Sequence, residues 1–178
     1  MDQTLIIGLG NPDPALETTY HNVGALAVQW LAERASEEEG GAPRGTIKFR
    51  PHGALFAYAK IQNRIFIRPL LYMNESGRAV AAAMRDFGAK AEDIIVIHDD
   101  SDITVGEFKR AQGGGSAGHK GVQSIIDHLH TADFARIRIG IREKDEARRK
   151  KAEDFVLSPI TTGDRKAFEA VFEKLSLS

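Results

Sequence analysis

The chain has 178 residues, of which 42% are hydrophobic and 28% are charged, and its formal net charge is −1 at pH 7. This balance excludes a disordered or collagen-like chain. The absence of cysteine excludes disulfides, a thiol nucleophile and a cysteine metal site. No apolar run reaches the roughly 18 residues of a membrane-spanning helix, and the first residues show no basic leader followed by an apolar stretch. We therefore expect a soluble cytoplasmic protein with one domain over residues 1–178 and no membrane partner.

The hydrophobic pattern predicts strands that alternate with helices. In chain order, the predicted elements are a strand over Thr4–Leu9, a helix over Val23–Ala35, paired strands over Leu55–Ile61 and Arg64–Leu70, a helix over Ser76–Phe87, strands over Ile94–His98 and Glu107–Ala111, a helix over Val122–His130, a strand over Phe134–Ile141 and a helix over Thr162–Leu175. This order predicts an α/β three-layer sandwich, in which helices cover both faces of a mixed, mostly parallel sheet.

Two polar residues near the start of the chain are candidates for a functional site. Asn11 follows the first predicted strand within GLGNP (8–12), where Asp13 and two prolines exclude a dinucleotide-binding turn. His21 precedes the first predicted helix within YHNVG (20–24), and a neutral imidazole there can act as a general base. Each residue also has a structural interpretation, because Asn11 can close a turn on its own backbone and isolated histidines are often structural.

Two further polar segments lie at element ends. Asn74, within YMNESG (72–77), can either cap the helix that follows or offer its amide to a ligand. Asp99 begins an acidic cluster after the most apolar strand, and a carboxylate there can orient a histidine as in a catalytic triad. The cluster does not match a calcium loop, and zinc would need more histidine or cysteine ligands at helical spacing than the sequence shows. We therefore expect no metal and no cofactor.

A glycine-rich loop spans Gly113–Gly121 (GGGSAGHKG) and resembles a P-loop without matching its spacing, because His119 separates the last loop glycine from Lys120. Bare backbone before a helix start favours contact with an anion, which Lys120 would reinforce. With neither cysteine nor a G-x-S-x-G motif, the residues favour a water molecule activated by histidine, with asparagine amides as hydrogen-bond donors.

Basic residues concentrate in the second half of the chain. The strand FARIRIGI (134–141) alternates apolar and polar residues, which predicts a solvent-exposed basic face that carries Arg136 and Arg138. A second basic cluster covers Arg148–Lys151. Such clusters are suited to the phosphates of a nucleic acid, although charge alone favours an ordinary mixed surface.

Taken together, these segments resemble the bacterial peptidyl-tRNA hydrolase family. The matching motifs are GLGNP (8–12), YHNVG (20–24), YMNESGRAV (72–80), IIVIHDDSD (94–102), GGGSAGHKG (113–121), FARIRIGI (134–141) and FVLSP (155–159). They follow the family's order and spacing over most of the chain. The resemblance implies a monomeric α/β enzyme that needs no cofactor and hydrolyses the ester between a peptide and the 3′ end of tRNA, which releases tRNA for reuse in translation.

The resemblance also implies a role for each matched residue. His21 would be the catalytic base and Asp99 its orienting acid. A second group would bind the substrate near the ester, namely Asn11, Tyr72, Met73, Asn74, His119 and Lys120. A third group would bind the tRNA phosphates, namely Lys109, Arg110 and Arg138.

Several positions depart from the family pattern, among them Asp13, where the family usually has glycine. Lys120 stands where the family generally has asparagine, and Leu16 stands where it has an aromatic residue. Lys120 and Leu16 motivate an alternative, an RNA-binding module of the same fold with weak or lost catalysis. The presence of both His21 and Asp99 favours the enzyme, because binding alone requires neither a base nor an orienting acid.

Overall fold

A seven-stranded sheet forms the centre of the computed structural model, which describes residues 3–145 and 151–175. Its strands in spatial order are β2, β3, β4, β1, β5, β7 and β6. The four central strands are mutually parallel, whereas β2, β3 and β6 at the two edges pair antiparallel. In chain order, the bounds are β1 (Thr4–Gly8), β2 (Arg50–His52), β3 (Phe56–Ile61), β4 (Arg64–Pro69), β5 (Ile94–Thr104), β6 (Phe108–Gln112) and β7 (Ala135–Arg142).

Helices cover both faces of this sheet, which confirms the predicted three-layer α/β sandwich with a mixed sheet. Their bounds are α1 (Val23–Glu38), α2 (Ser76–Phe87), α3 (Lys120–Leu129), α4 (Ala152–Phe155) and α5 (Thr162–Lys174). One apolar core lies between the sheet and helices α1 and α5, and the other lies between the sheet and helices α2 and α3. The central strands are therefore apolar on both sides, as expected of a covered parallel sheet.

Local signals set the helix ends. Helix α2 ends at Gly88, whose φ of +67° is a left-handed conformation that glycine adopts without strain. Helix α5 begins after Thr161, whose hydroxyl accepts a hydrogen bond from the Asp164 amide at 3.2 Å. No helix among the described residues is long and apolar enough to cross a membrane.

Two strands differ from the sequence-based expectation. Strand β2 has three exposed residues, including Pro51, and therefore carries no apolar alternation that would reveal it. Strand β5 continues through the acidic cluster to Thr104 instead of ending at His98. The cluster stays in the sheet because Asp99 and Asp100 pair with strand β7 and their carboxylates have partners. Most of the basic cluster Arg148–Lys151 lies outside the described residues.

Candidate active site

A groove of about 950 Å³ opens beyond the carboxyl ends of strand β1 and the apolar part of strand β5. Ligands commonly bind at this edge of an α/β sheet, where loops from neighbouring strands meet. The groove brings together eight residues that the sequence marked as catalytic or substrate-binding, namely Asn11, His21, Tyr72, Met73, Asn74, Asp99, His119 and Lys120.

His21 and Asp99 form a hydrogen-bonded pair at the floor of the groove. The His21 Nδ1 atom lies 2.8 Å from Asp99 Oδ1, and a carboxylate can only accept, so Nδ1 carries the proton and donates it. The second ring nitrogen, Nε2, has no hydrogen-bond partner among the described residues. The His21 side chain is 12% exposed and Asp99 is 4% exposed. A buried carboxylate thus fixes the tautomer of an imidazole that lines the groove.

Residues near the C-terminal end of the chain form hydrogen bonds with the 3₁₀ turn Tyr20–Asn22, which contains His21. The His21 amide donates to the Val156 carbonyl at 2.8 Å, and the hydroxyl of the buried neighbour Tyr20 donates to Asp164 at 2.5 Å. Burial raises the pKa of Tyr20 to about 12, and the hydrogen bond to Asp164 adds to this effect. Tyr20 therefore stays protonated and ties the base to helix α5.

His119 is a second donor to the same carboxylate oxygen. Its Nε2 lies 2.8 Å from Asp99 Oδ1, while its Nδ1 accepts hydrogen bonds from the amides of Gly121 and Val122. Since Nδ1 is an acceptor, the neutral ring carries its proton on Nε2. His119 thus caps helix α3 with one nitrogen and supports Asp99 with the other.

Asp99 stays ionised in this setting. Burial would raise the pKa of its carboxyl, but the attraction of His119 and His21 and their hydrogen bonds outweigh burial and hold the pKa well below its ordinary value. The neighbouring His98 is 2% exposed and donates from Nδ1 to the Asp99 carbonyl at 2.7 Å. Burial lowers the pKa of His98 to about 3, so this ring is neutral.

The donor set of His21, Asp99 and His119 does not fit a metal ion, although their ligating atoms lie within 4.8 Å of one another. Both ring nitrogens that face Asp99 already donate to it. To ligate a metal through Nε2, His119 would have to carry its proton on Nδ1, against two backbone amides that donate to that atom. Metal binding would therefore break the cap of helix α3.

Asn11 presents an amide donor to the groove. Its Oδ1 accepts from the Met73 amide at 2.9 Å, which leaves the side-chain NH₂ as a donor. The side chain of Asn22 forms hydrogen bonds with both backbone groups of Asn11, at 2.8 and 3.0 Å. Sequence reasoning missed Asn22, although its side-chain amide lies next to His21 in the YHNVG motif.

The groove is also lined by Tyr72, Met73 and Asn74. Asn74 is exposed and caps neither helix α2 nor the 3₁₀ turn before it, so its amide remains available to a ligand. Met73 is buried and forms an apolar base. Tyr72 and Leu157, at 56% and 50%, are the exposed large apolar side chains of the described residues, and both lie at the groove.

Parts of the glycine-rich loop, which the sequence favours as an anion cradle, have internal partners in the structure. The His119 ring already occupies the amides of Gly121 and Val122 at the start of helix α3, and the carbonyls of Gly113–Gly115 face the Arg136 guanidinium. The amides of Gly121 and Val122 are therefore not available to a phosphate, because backbone amides that have internal partners cannot bind one, and anion contact through Lys120 and the rest of the loop stays a prediction. Lys120 lines the groove, and its ammonium has no hydrogen bond or ion pair with the described residues.

The basic residues of the edge strands divide between the two faces of the sheet. Lys109 and Arg138 lie directly opposite each other on β6 and β7 and so share one face, whereas Arg110 points to the other. Arg138 donates to Asp100 at 2.7 Å and is partly exposed. Arg136 is only 5% exposed, which corrects the predicted solvent-exposed position.

The fold and the groove define an α/β protein with a histidine–aspartate pair and amide donors at the edge of its sheet. The peptidyl-tRNA hydrolase family model matches residues 5–177. Proteins named peptidyl-tRNA hydrolase from Coxiella burnetii and Lactobacillus delbrueckii are 38% and 40% identical, and each match covers 96% of this chain and 85% or 88% of the relative. The crystal structure of peptidyl-tRNA hydrolase from Acinetobacter baumannii matches with a TM-score of 0.75 and 26% identity, over 97% of this chain and 84% of that one. The chain belongs to the peptidyl-tRNA hydrolase family.

Proposed function

We propose that this chain hydrolyses peptidyl-tRNA at the ester between the peptide and the tRNA, with His21 as the general base. The observation that carries this assignment is the 2.8 Å hydrogen bond from His21 Nδ1 to the ionised Asp99. This bond leaves Nε2 with its lone pair free to take a proton from water. Family membership supports the choice of substrate.

In the proposed reaction, His21 Nε2 removes a proton from a water molecule as its oxygen attacks the ester carbonyl carbon. The imidazolium that forms is stabilised by Asp99, which lies against Nδ1. Negative charge develops on the carbonyl oxygen, and the amides of Asn11 and Asn74 are the donors that line the groove near it. The tetrahedral intermediate then expels the ribose oxygen, which takes the proton back from His21.

The tRNA would lie across the edge of the sheet that carries Lys109 and Arg138. These two cations share one face, and Lys109 is exposed without an ion pair among the described residues. Arg138 lies beside Asp100, whose carboxylate fixes the guanidinium and offsets part of its charge. Arg110 stays a predicted phosphate contact, but its position on the other face separates it from this pair. We further propose a cytoplasmic monomer, which the family resemblance supports.

Single-turnover release of tRNA from an N-blocked aminoacyl-tRNA tests the assignment. His21→Ala should lower the rate by about 10²- to 10⁴-fold, the usual contribution of a general base, and should leave tRNA binding unchanged. His52→Ala is the matched control, because His52 is an exposed histidine on edge strand β2. Tight tRNA binding by the wild-type protein without any release would reject the hydrolase and favour an RNA-binding module.

A further inference from the structure

Arg136 is buried in strand β7, yet its charge has no acidic partner. Its guanidinium donates to three successive carbonyls of the glycine-rich loop, with Gly115 and Gly114 at 2.8 and 2.9 Å and Gly113 closer still. Arg136 forms no ion pair with a carboxylate of the described residues. A buried cation is costly unless it is hydrogen-bonded, so these carbonyls are what keep Arg136 inside the protein.

The backbone of the loop is shaped to meet this guanidinium. Gly113 and Gly114 have φ angles of +69° and +84°, a region in which other residues are strained. A Cβ atom built on Gly114 would lie 3.1 Å from the Arg136 Nη2 atom. The close approach of Arg136 thus explains why glycine stands at position 114.

Arg136 is unsuited to direct contact with tRNA. It is 5% exposed, and its two terminal nitrogens are taken up by the loop carbonyls. Burial lowers the pKa of its guanidinium, and the neighbouring Arg138 lowers it further, while Asp100 opposes them. The two arginines of the FARIRIGI motif therefore have different environments. Arg138 is partly exposed beside Lys109, whereas Arg136 is buried against the glycine-rich loop.

The loop leads directly from Arg136 to the active site. Gly115, held by Arg136, precedes Ser116, whose carbonyl accepts from the His119 amide at 2.9 Å. His119 in turn donates to Asp99, which orients His21. Resting on the proposed hydrolase function, we propose that Arg136 is a positioning residue, which anchors the glycine-rich loop so that His119 reaches Asp99.

The test compares Arg136→Lys with the wild-type protein. Lysine keeps the charge but replaces the planar fork with a single ammonium, which cannot hold three carbonyls at once. We expect kcat to fall on the order of 100-fold, as small displacements of catalytic groups do, with KM and its salt dependence little changed. The hydrogen-exchange rates of the amides over 113–122 should increase. The ¹⁵N chemical shifts of the His119 ring should no longer be those of the tautomer protonated on Nε2.

Arg142→Lys is the matched control, because Arg142 lies on the same strand and its guanidinium donates to the Thr104 hydroxyl, away from the loop. Should Arg136→Lys fail to fold, Gly114→Ala disturbs the same contact from the loop side and should give the same signature. Wild-type kcat, a change confined to KM and its salt dependence, or a loss of kcat with unchanged His119 signals would each overturn the proposal. If the wild-type protein released no tRNA, the proposed function would fall, whereas hydrogen exchange and the His119 signals would still decide the role of Arg136.

Discussion

Substitution of Asp99 by asparagine separates the charge of the orienting group from its geometry. Both His21 and His119 donate to the same atom, Asp99 Oδ1, at 2.8 Å. Asparagine retains an oxygen acceptor there, so Asp99→Asn can keep both hydrogen bonds, both tautomers and the direction of the His21 ring. What it removes is the negative charge that faces the imidazolium in the transition state.

The geometry sets the size of the expected effect. Two unit charges about 4 Å apart attract by about 4 kcal/mol at the effective dielectric constant of a protein site. Loss of that attraction corresponds to a decrease in kcat of about 10³-fold. Asp99→Ala removes the acceptor as well as the charge, so the ring also loses its orientation and the decrease should be larger still.

Single-turnover release of tRNA from an N-blocked aminoacyl-tRNA measures both variants. Asp102→Asn provides the control, because Asp102 is an exposed carboxylate on the same strand and does not line the groove. The reasoning would be refuted if Asp99→Asn kept the wild-type rate, or if Asp99→Ala were the milder of the two substitutions.

Three more predictions concern His98, Lys120 and the basic pair at the edge of the sheet. Burial holds the pKa of His98 at about 3, below its ordinary 6.5, so the unfolded chain binds a proton in that interval that the folded chain does not. The free energy of unfolding, measured by urea denaturation, should thus fall as pH decreases from 6.5 towards 3. His98→Asn should reduce the slope of this dependence by up to roughly 1 kcal/mol per pH unit. An unchanged slope would contradict the lowered pKa of His98. Lys120→Asn should raise KM and leave kcat near the wild-type value, since asparagine still donates a hydrogen bond but carries no charge for a phosphate; an unchanged KM would show that Lys120 does not contact the substrate. Lys109→Ala and Arg138→Ala should each raise KM and reduce the slope of log affinity against log salt by about 1, and equal slopes in variant and wild type would place the tRNA elsewhere.

The amino-acid sequence determined the order of elements and the residue types of the site. Apolar runs such as Thr4–Leu9 and Ile94–His98 specify strands buried on both sides, and the spacing of apolar residues specifies the helices that cover them. His21 was recognisable because a potential base stands before a predicted helix, and Asp99 because an acid follows the most apolar run of the chain. Strand β2 escaped prediction because a three-residue exposed strand depends on its neighbour β3 and has no apolar pattern of its own.

Only the tertiary structure decided which polar groups were free to act. The sequence allowed Asn74 to be a helix cap, but its amide is left to the groove. It allowed the amides at the start of helix α3 to bind an anion, but His119 already occupies those of Gly121 and Val122. Alternation in FARIRIGI placed Arg136 and Arg138 on one face without showing that a distant loop buries the first of them. The physical reason is that a polar group is available for binding or catalysis only when no internal partner satisfies it, and such partners come from segments far apart in the chain.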